Sequence, residues 1–161
     1  MSADRVLGVI PARLGAERLP GKPLRLLGGK LLIQRVALNA RASGAFDEVV
    51  VASDADGVLA AAEAVGVRGV KTRADHASGT SRVGEVAGLA EFMGASIVVN
   101  VQGDEPFLPV TAIRAAVGAV VAGWDVGTTA VPLDPVAAAA PAIVKVVIDE
   151  LGRALYFSRA L

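Results

Sequence analysis

Arg13, Arg18 and Lys22 fall within one stretch, IPARLGAERLPGKPL at 10–24, which also carries Gly15 and Gly21. Three cations beside glycines that let a backbone come close suit an anion of several charges, such as the phosphates of a nucleoside triphosphate. The stretch also reads as an ordinary loop with solvated basic side chains. A second cluster, QGDEP at 102–106, carries Asp104 and Glu105. A carboxylate there suits Mg²⁺ held against a triphosphate, with Gly103 permitting a sharp turn and Pro106 ending a strand. Alternatively, the two acids lead into the next helix, whose N-terminus favours negative charge. A third cluster, TRADHASGTSR at 72–82, places Ser78, Gly79 and Thr80 ahead of a helix. Hydroxyls and backbone N–H groups there can read the edge of a nucleobase, and Thr80 or Ser81 can equally be an N-cap. His76, the single histidine, has no Ser or Asp partner marked in sequence and is expected to be an exposed loop residue rather than a base.

Short β-branched runs must carry these loops. They lie at 6–10, 48–53, 67–71, 96–101, 126–133 and 143–150, and each reads as a strand. Ala-rich segments of helical spacing lie at 30–43, 55–64, 80–93 and 109–122. The alternation, with runs 48–53 and 96–101 apolar on both faces, predicts a three-layer αβα sandwich with a mostly parallel, doubly wound sheet. Asp54 is expected to cap the second helix, Gly44 to close the first and Gly66 the second. Residues 137–140, AAAA, read as one helical turn, and GRALYFSRAL as a terminal strand-like segment. In an open parallel sheet ligands sit beyond the carboxyl ends of the strands, which is where all three clusters fall.

Composition narrows the chemistry. A chain of 161 residues with 53% hydrophobic content is expected to form one domain around one core. Sixteen basic and sixteen acidic residues are interspersed, so no summed field points to nucleic acid or to a membrane surface. With no Cys and one His, thiolate chemistry and histidine-rich metal sites are excluded, and any metal takes oxygen ligands. The N-terminus lacks the basic start and long apolar run of a signal peptide, so a cytoplasmic protein is expected. The stretch AIRAAVGAVVAGW is too short to span a bilayer and carries Arg114. Neither G-x-G-x-x-G nor G-x-x-x-x-G-K-[ST] follows the first strand, which argues against dehydrogenases and P-loop enzymes.

The blocks IPARLGAERLPGKPL, SDADGV, TRADHASGTSR, VNVQGDEPF and IVKVVIDELGRALYFSRA, in this order and spacing, resemble the 3-deoxy-D-manno-octulosonate (Kdo) cytidylyltransferases, or CMP-Kdo synthetases. TRADH-x-SGT-x-R together with NVQGDEP is the selective part. The resemblance implies a nucleotide-diphospho-sugar transferase-like fold, CTP and Kdo as substrates, CMP-Kdo and pyrophosphate as products for lipopolysaccharide synthesis, Mg²⁺ as cofactor and a homodimer. It implies that Arg13 and Lys22 neutralise phosphate charge, that the Ala12 backbone lies near the base, and that Arg73, Ser78 and Gln102 recognise cytosine and its surroundings. Asp104 matches a Mg²⁺ ligand, which makes Arg13, Lys22 and Asp104 the catalytic set, and Arg18 is matched to the sugar carboxylate. Two departures stand out. Ala16 and Glu17 replace small hydroxylated residues in the first loop. The family also continues past SRA with a second metal-binding aspartate, a His-Gly-Ile-Tyr segment and much of the dimer contact, so truncation is expected. A catalytically silent nucleotide-binding fragment and a sialic acid cytidylyltransferase are the alternatives, the latter opposed by TRADH and SGT.

Overall fold

A computed structural model describes residues 4–15, 19–134 and 136–160. The chain divides into two compact units, Met1–Gly127 and Thr128–Leu161.

The first unit holds a four-stranded parallel sheet in the order β5-β4-β1-β6, formed by β1 (Val6–Pro11), β4 (Glu48–Ser53), β5 (Arg68–Lys71) and β6 (Ile97–Asn100). A two-residue ribbon of β2 (Leu26–Leu27) and β3 (Lys30–Leu31) precedes α1 (Leu32–Ala42). The other helices are α2 (Asp56–Glu63), α3 (Gly79–Ala87) and α4 (Val110–Val121). Successive strand residues face opposite sides. Ile10, Ala12 and Val51 therefore pack with Ile33, Val36, Ala37 and Val58 of α1 and α2. Leu7, Val9 and Val50 pack on the other side with Val83, Val86 and Phe92. Both faces of β1 and β4 are covered, and the expected αβα sandwich is the observed one.

Glycine punctuation follows the sequence at two helix ends. Gly44 (φ 62°) follows α1 and Gly66 (φ 73°) follows α2, each in the left-handed region where a Cβ is costly. The caps do not follow it. Ala55, not Asp54, is the N-cap of α2 and has no side-chain cap, because Ser53 Oγ takes the Ala55 N–H at 3.2 Å and Asp54 turns to Arg82. Ser78, not Thr80 or Ser81, caps α3. That helix also ends at Ala87 rather than near 93. The chain turns there so that Phe92, 2% exposed, enters the core beneath the Arg68 guanidinium, 5.2 Å from the ring centroid.

Residues 126–133 form no strand, against expectation. Their Val and Thr content favours extended backbone, but no described strand pairs with them, and Val126 and Val131 are exposed. Without ladder and packing partners β-propensity alone does not make a strand.

The second unit contains a 3-10 turn at Ala137–Ala139 and an antiparallel hairpin of β7 (Lys145–Ile148) and β8 (Ala154–Ser158). The run at 143–150 is thus half of a separate hairpin, not a member of the parallel sheet. Its turn is organised by Asp149, whose carboxylate accepts from Leu151 N, Arg153 N and Arg153 Nε at 2.7–2.9 Å. The Arg153 guanidinium leads in holding the Asp149 carboxyl below the usual range. No helix among the described residues is long and apolar enough to cross a membrane.

Candidate nucleotide site

Parallel pairing brings the carboxyl ends of β1, β4, β5 and β6 to one edge of the sheet. Arg13 follows β1, Asp54 follows β4, Thr72 follows β5, and Gln102, Gly103 and Asp104 follow β6. The ladders continue one step into these loops through Ala12 N to Ala52 O, Thr72 N to Ser53 O and Val101 N to Val9 O, so each loop leaves the sheet at a fixed position. Around that edge lies a cavity of about 600 Å³, within the usual range for a small-molecule site.

Pro11 is the point on which three loops converge. A Cβ on Gly103 would stand 2.6 Å from Pro11 O, and one on Gly79 would stand 3.2 Å from Pro11 Cγ. Glycine at 103 is therefore a requirement of close backbone approach between the ends of β1 and β6. Gly21 has a different role. It sits at φ 67° with open space around it, donates its N–H to Leu14 O at 3.0 Å, and starts the 3-10 turn Lys22–Leu24. The first loop thereby returns to the sheet edge, and Lys22 Nζ lies 2.6 Å from Asp104 Oδ2. Gly15 has no described heavy atom near its Cβ position and makes no such approach.

Ala12, Arg13, Lys22, Ser78, Gln102 and Asp104 all line the cavity. Arg73 does not. Its side chain is 69% exposed and directed to Asp75 at 3.6 Å and Glu85 at 3.9 Å. Arg18, Ala16 and Glu17 lie outside the described residues. Glu105 is exposed, and its N–H closes a turn onto Gln102 O. Since α4 begins only at Val110, the acids at 104 and 105 are not its first turn. The segment after them is anchored by Asn39 Nδ2, which donates to Leu108 O at 2.8 Å.

Two lining residues carry more than their sequence context suggests. Arg82, on the first turn of α3, has a side chain only 4% exposed. Its Nη1 donates to Thr72 Oγ1, and its Nη2 lies 2.8 Å from Asp54 Oδ1, a buried oxygen paired by charge rather than by a well-directed hydrogen bond. This one guanidinium joins α3 to the ends of β4 and β5. His76, expected exposed and unpartnered, has a side chain 4% exposed, with Nδ1 3.1 Å from Ser81 Oγ and Nε2 against Glu85 Oε2. The signal that pointed to both was the TRADH-x-SGT-x-R block itself. The spacing of that block does not reveal that Asp54, Thr72 and Glu85 lie opposite.

At the α3 wall, Ser78 Oγ accepts from Ser81 N at 3.1 Å and Ser81 Oγ accepts from Ser78 N at 3.3 Å, a capping box built from two serines. The arrangement offers an anion two cations, Arg13 and Lys22, and offers a hard cation the Asp104 carboxylate, 52% exposed. No described cluster of three or more His, Cys, Asp or Glu side chains stands ready for a metal. One carboxylate supplemented by substrate phosphates and water is nevertheless a common donor set for Mg²⁺.

A family profile described as Cytidylyltransferase matches residues 7–161. The chain is 51% identical over 156 residues to a 3-deoxy-manno-octulosonate cytidylyltransferase of Gemmatimonas aurantiaca, the match covering 96% of this chain and 60% of that protein. Among solved structures it resembles a CMP:2-keto-3-deoxy-manno-octonic acid synthetase complexed with CTP, with TM-score 0.86, 38% identity, and coverage of 98% of this chain and 65% of the other. A cytidylyltransferase of Leptospira borgpetersenii shares the fold at TM-score 0.64 and 23% identity, covering 76% of this chain and 51% of that one. The chain thus spans about 60% of the length of the curated relative it matches. By the match over residues 7–161, it belongs to the cytidylyltransferase family.

Proposed function

We propose that this chain binds CTP at the sheet-edge cavity and serves the transfer of CMP to Kdo. The anomeric hydroxyl of the sugar gives its proton to water and attacks the α-phosphorus of CTP, the bond from that phosphorus to the β-phosphate oxygen breaks, and CMP-Kdo and pyrophosphate leave. The observation that carries the reading is the convergence of three strand-end loops on Pro11, which sets Arg13, Lys22 and Asp104 beside the Ser78–Gly79 wall.

Phosphoryl transfer asks the protein mainly for positioning and charge stabilisation. In the proposed arrangement Arg13 and Lys22 hold the triphosphate, the Ala12 backbone, Ser78 and Gln102 face the nucleoside, Arg73 joins them at cytosine once it leaves Asp75 and Glu85, and Arg18 meets the sugar carboxylate. Asp104 would hold Mg²⁺, which when bound would neutralise charge on the phosphates. A homodimer, a cytoplasmic location and a place in lipopolysaccharide synthesis belong to the same reading. Exposed Leu155, Tyr156 and Phe157 on β8 support self-association, and a monomer in sedimentation at micromolar concentration removes it.

CTP with Mg²⁺ at about a hundredfold excess over Kd is expected to raise the unfolding midpoint by about 5–10 °C, and ATP by less. Equal or absent protection by CTP defeats the nucleotide assignment. Pyrophosphate release from CTP plus Kdo tests the transfer, and its absence would leave a nucleotide-binding module without the reaction.

A further inference from the structure

The Ser78–Gly79 wall of the cavity is held from behind by contacts that the proposed chemistry does not use. We propose that His76 is a positioning residue for that wall: it links the Glu85 carboxylate to the Ser81 hydroxyl and so holds the capping box that sets Ser78 and Gly79. The proposal rests on reading the cavity as the nucleotide site, and adds how one side of that site keeps its shape.

His76 is buried to 4% side-chain exposure in a loop whose neighbours Arg73 and Asp75 are 69% and 76% exposed. Burying an imidazole is costly unless both nitrogens find partners. Here both do. Glu85 sits at Nε2, and its carboxyl is held below the usual range, first by the hydrogen bond from His76 and also by the Arg73 N–H, which donates at 3.2 Å. An ionised carboxylate only accepts, so Nε2 carries the hydrogen and the ring orientation is set.

With the ring so held, Nδ1 faces Ser81 Oγ at 3.1 Å. That oxygen is the hub of the cap: it accepts from Ser78 N at 3.3 Å, and its one hydrogen lies between two acceptors, His76 Nδ1 and Ser78 O at 2.8 Å. A serine hydroxyl at an exposed helix end has several rotamers, and a third partner selects one. The selected geometry matters because the wall has little room. A Cβ on Gly79 would already meet Pro11 Cγ at 3.2 Å, so movement of this turn by a few tenths of an ångström bears on the end of β1. Of the other charged groups nearby, Arg73 lies 3.6 Å from Asp75 and, at 3.9 Å, shares the Glu85 carboxylate with His76, while Arg82 is held by Asp54 and Thr72.

Two substitutions separate the two contacts. His76→Asn places an amide near the position of Nδ1 and can still reach Ser81; His76→Gln reaches toward Glu85 and loses Ser81. Ser81→Ala removes the hub from an exposed site, so it carries the same test should His76→Gln fail to fold. The amide resonances of Ser78 and Gly79 read the cap without nucleotide, and CTP affinity reads the wall. His76→Gln and Ser81→Ala are each expected to move both resonances and weaken CTP binding about three- to tenfold. The double variant should lose no more than either single one, and His76→Asn should retain the cap. Unmoved resonances, or losses that add in full, overturn the proposal. If His76→Gln moves the resonances while the unmodified protein binds no CTP, the nucleotide reading fails and the role of His76 in the cap stands.

Discussion

Lys22 Nζ lies 2.6 Å from Asp104 Oδ2, joining residues 82 apart in sequence across the mouth of the cavity. The pair is half exposed, with side chains 35% and 52% accessible. An ion pair so placed contributes little to stability, because water screens it and two long side chains lose freedom. Under the proposed function its position makes it a binding device: a triphosphate would take Lys22 while a cation would take Asp104.

Lys22→Ala and Asp104→Asn are each expected to shift the unfolding midpoint by at most about 4 °C. Each should weaken CTP binding in Mg²⁺ by about ten- to a hundredfold. Calorimetric titration with and without Mg²⁺ checks this. An unchanged Mg²⁺ requirement in Asp104→Asn removes that residue as a ligand.

Arg82 should behave in the opposite way. Its guanidinium is buried against Asp54 and Thr72, and removing one member of such a group leaves the other's charge poorly compensated. Arg82→Met is expected to destabilise the protein by about 3 kcal/mol in urea unfolding. A loss no greater than that of Lys22→Ala would mean the contacts do not hold α3 to the sheet.

Glu85 gives a pH dependence. Its carboxyl is held below the usual range, chiefly by His76. A lowered folded value adds stability that is present above the unfolded value and lost as pH falls through the folded one. The gap in urea midpoint between the unmodified protein and Glu85→Gln should therefore be full near pH 7 and shrink below the ordinary carboxylate range, roughly pH 4. A gap independent of pH would contradict the His76–Glu85 pairing.

The strand at 48–53 was legible to the residue, and α1, α2 and α4 nearly so, because unbroken apolar runs and Ala-rich periodic segments report burial directly. Residues 126–133 were misread for the converse reason: they carry the same residue types, but no described strand pairs with them. Asp54 looked like a cap because Asp before a helix usually is one, and it was taken instead by a cation that no local pattern announces.

Taken alone, the sequence determined the alternating order of elements through α4, the lack of Cys or a His-rich donor set, and the three clusters beyond the strand ends. These follow from residue type, spacing and short-range backbone preference. The tertiary structure decided what meets what. Parallel pairing of β1 with β6 and β4 set Lys22 on Asp104, Arg82 on Asp54 and Thr72, and turned His76 inward to Glu85 and Ser81. Those pairings depend on strand order and on how closely loops can approach at Pro11. Strand order and loop approach are properties of packing between distant segments, to which local sequence patterns do not respond.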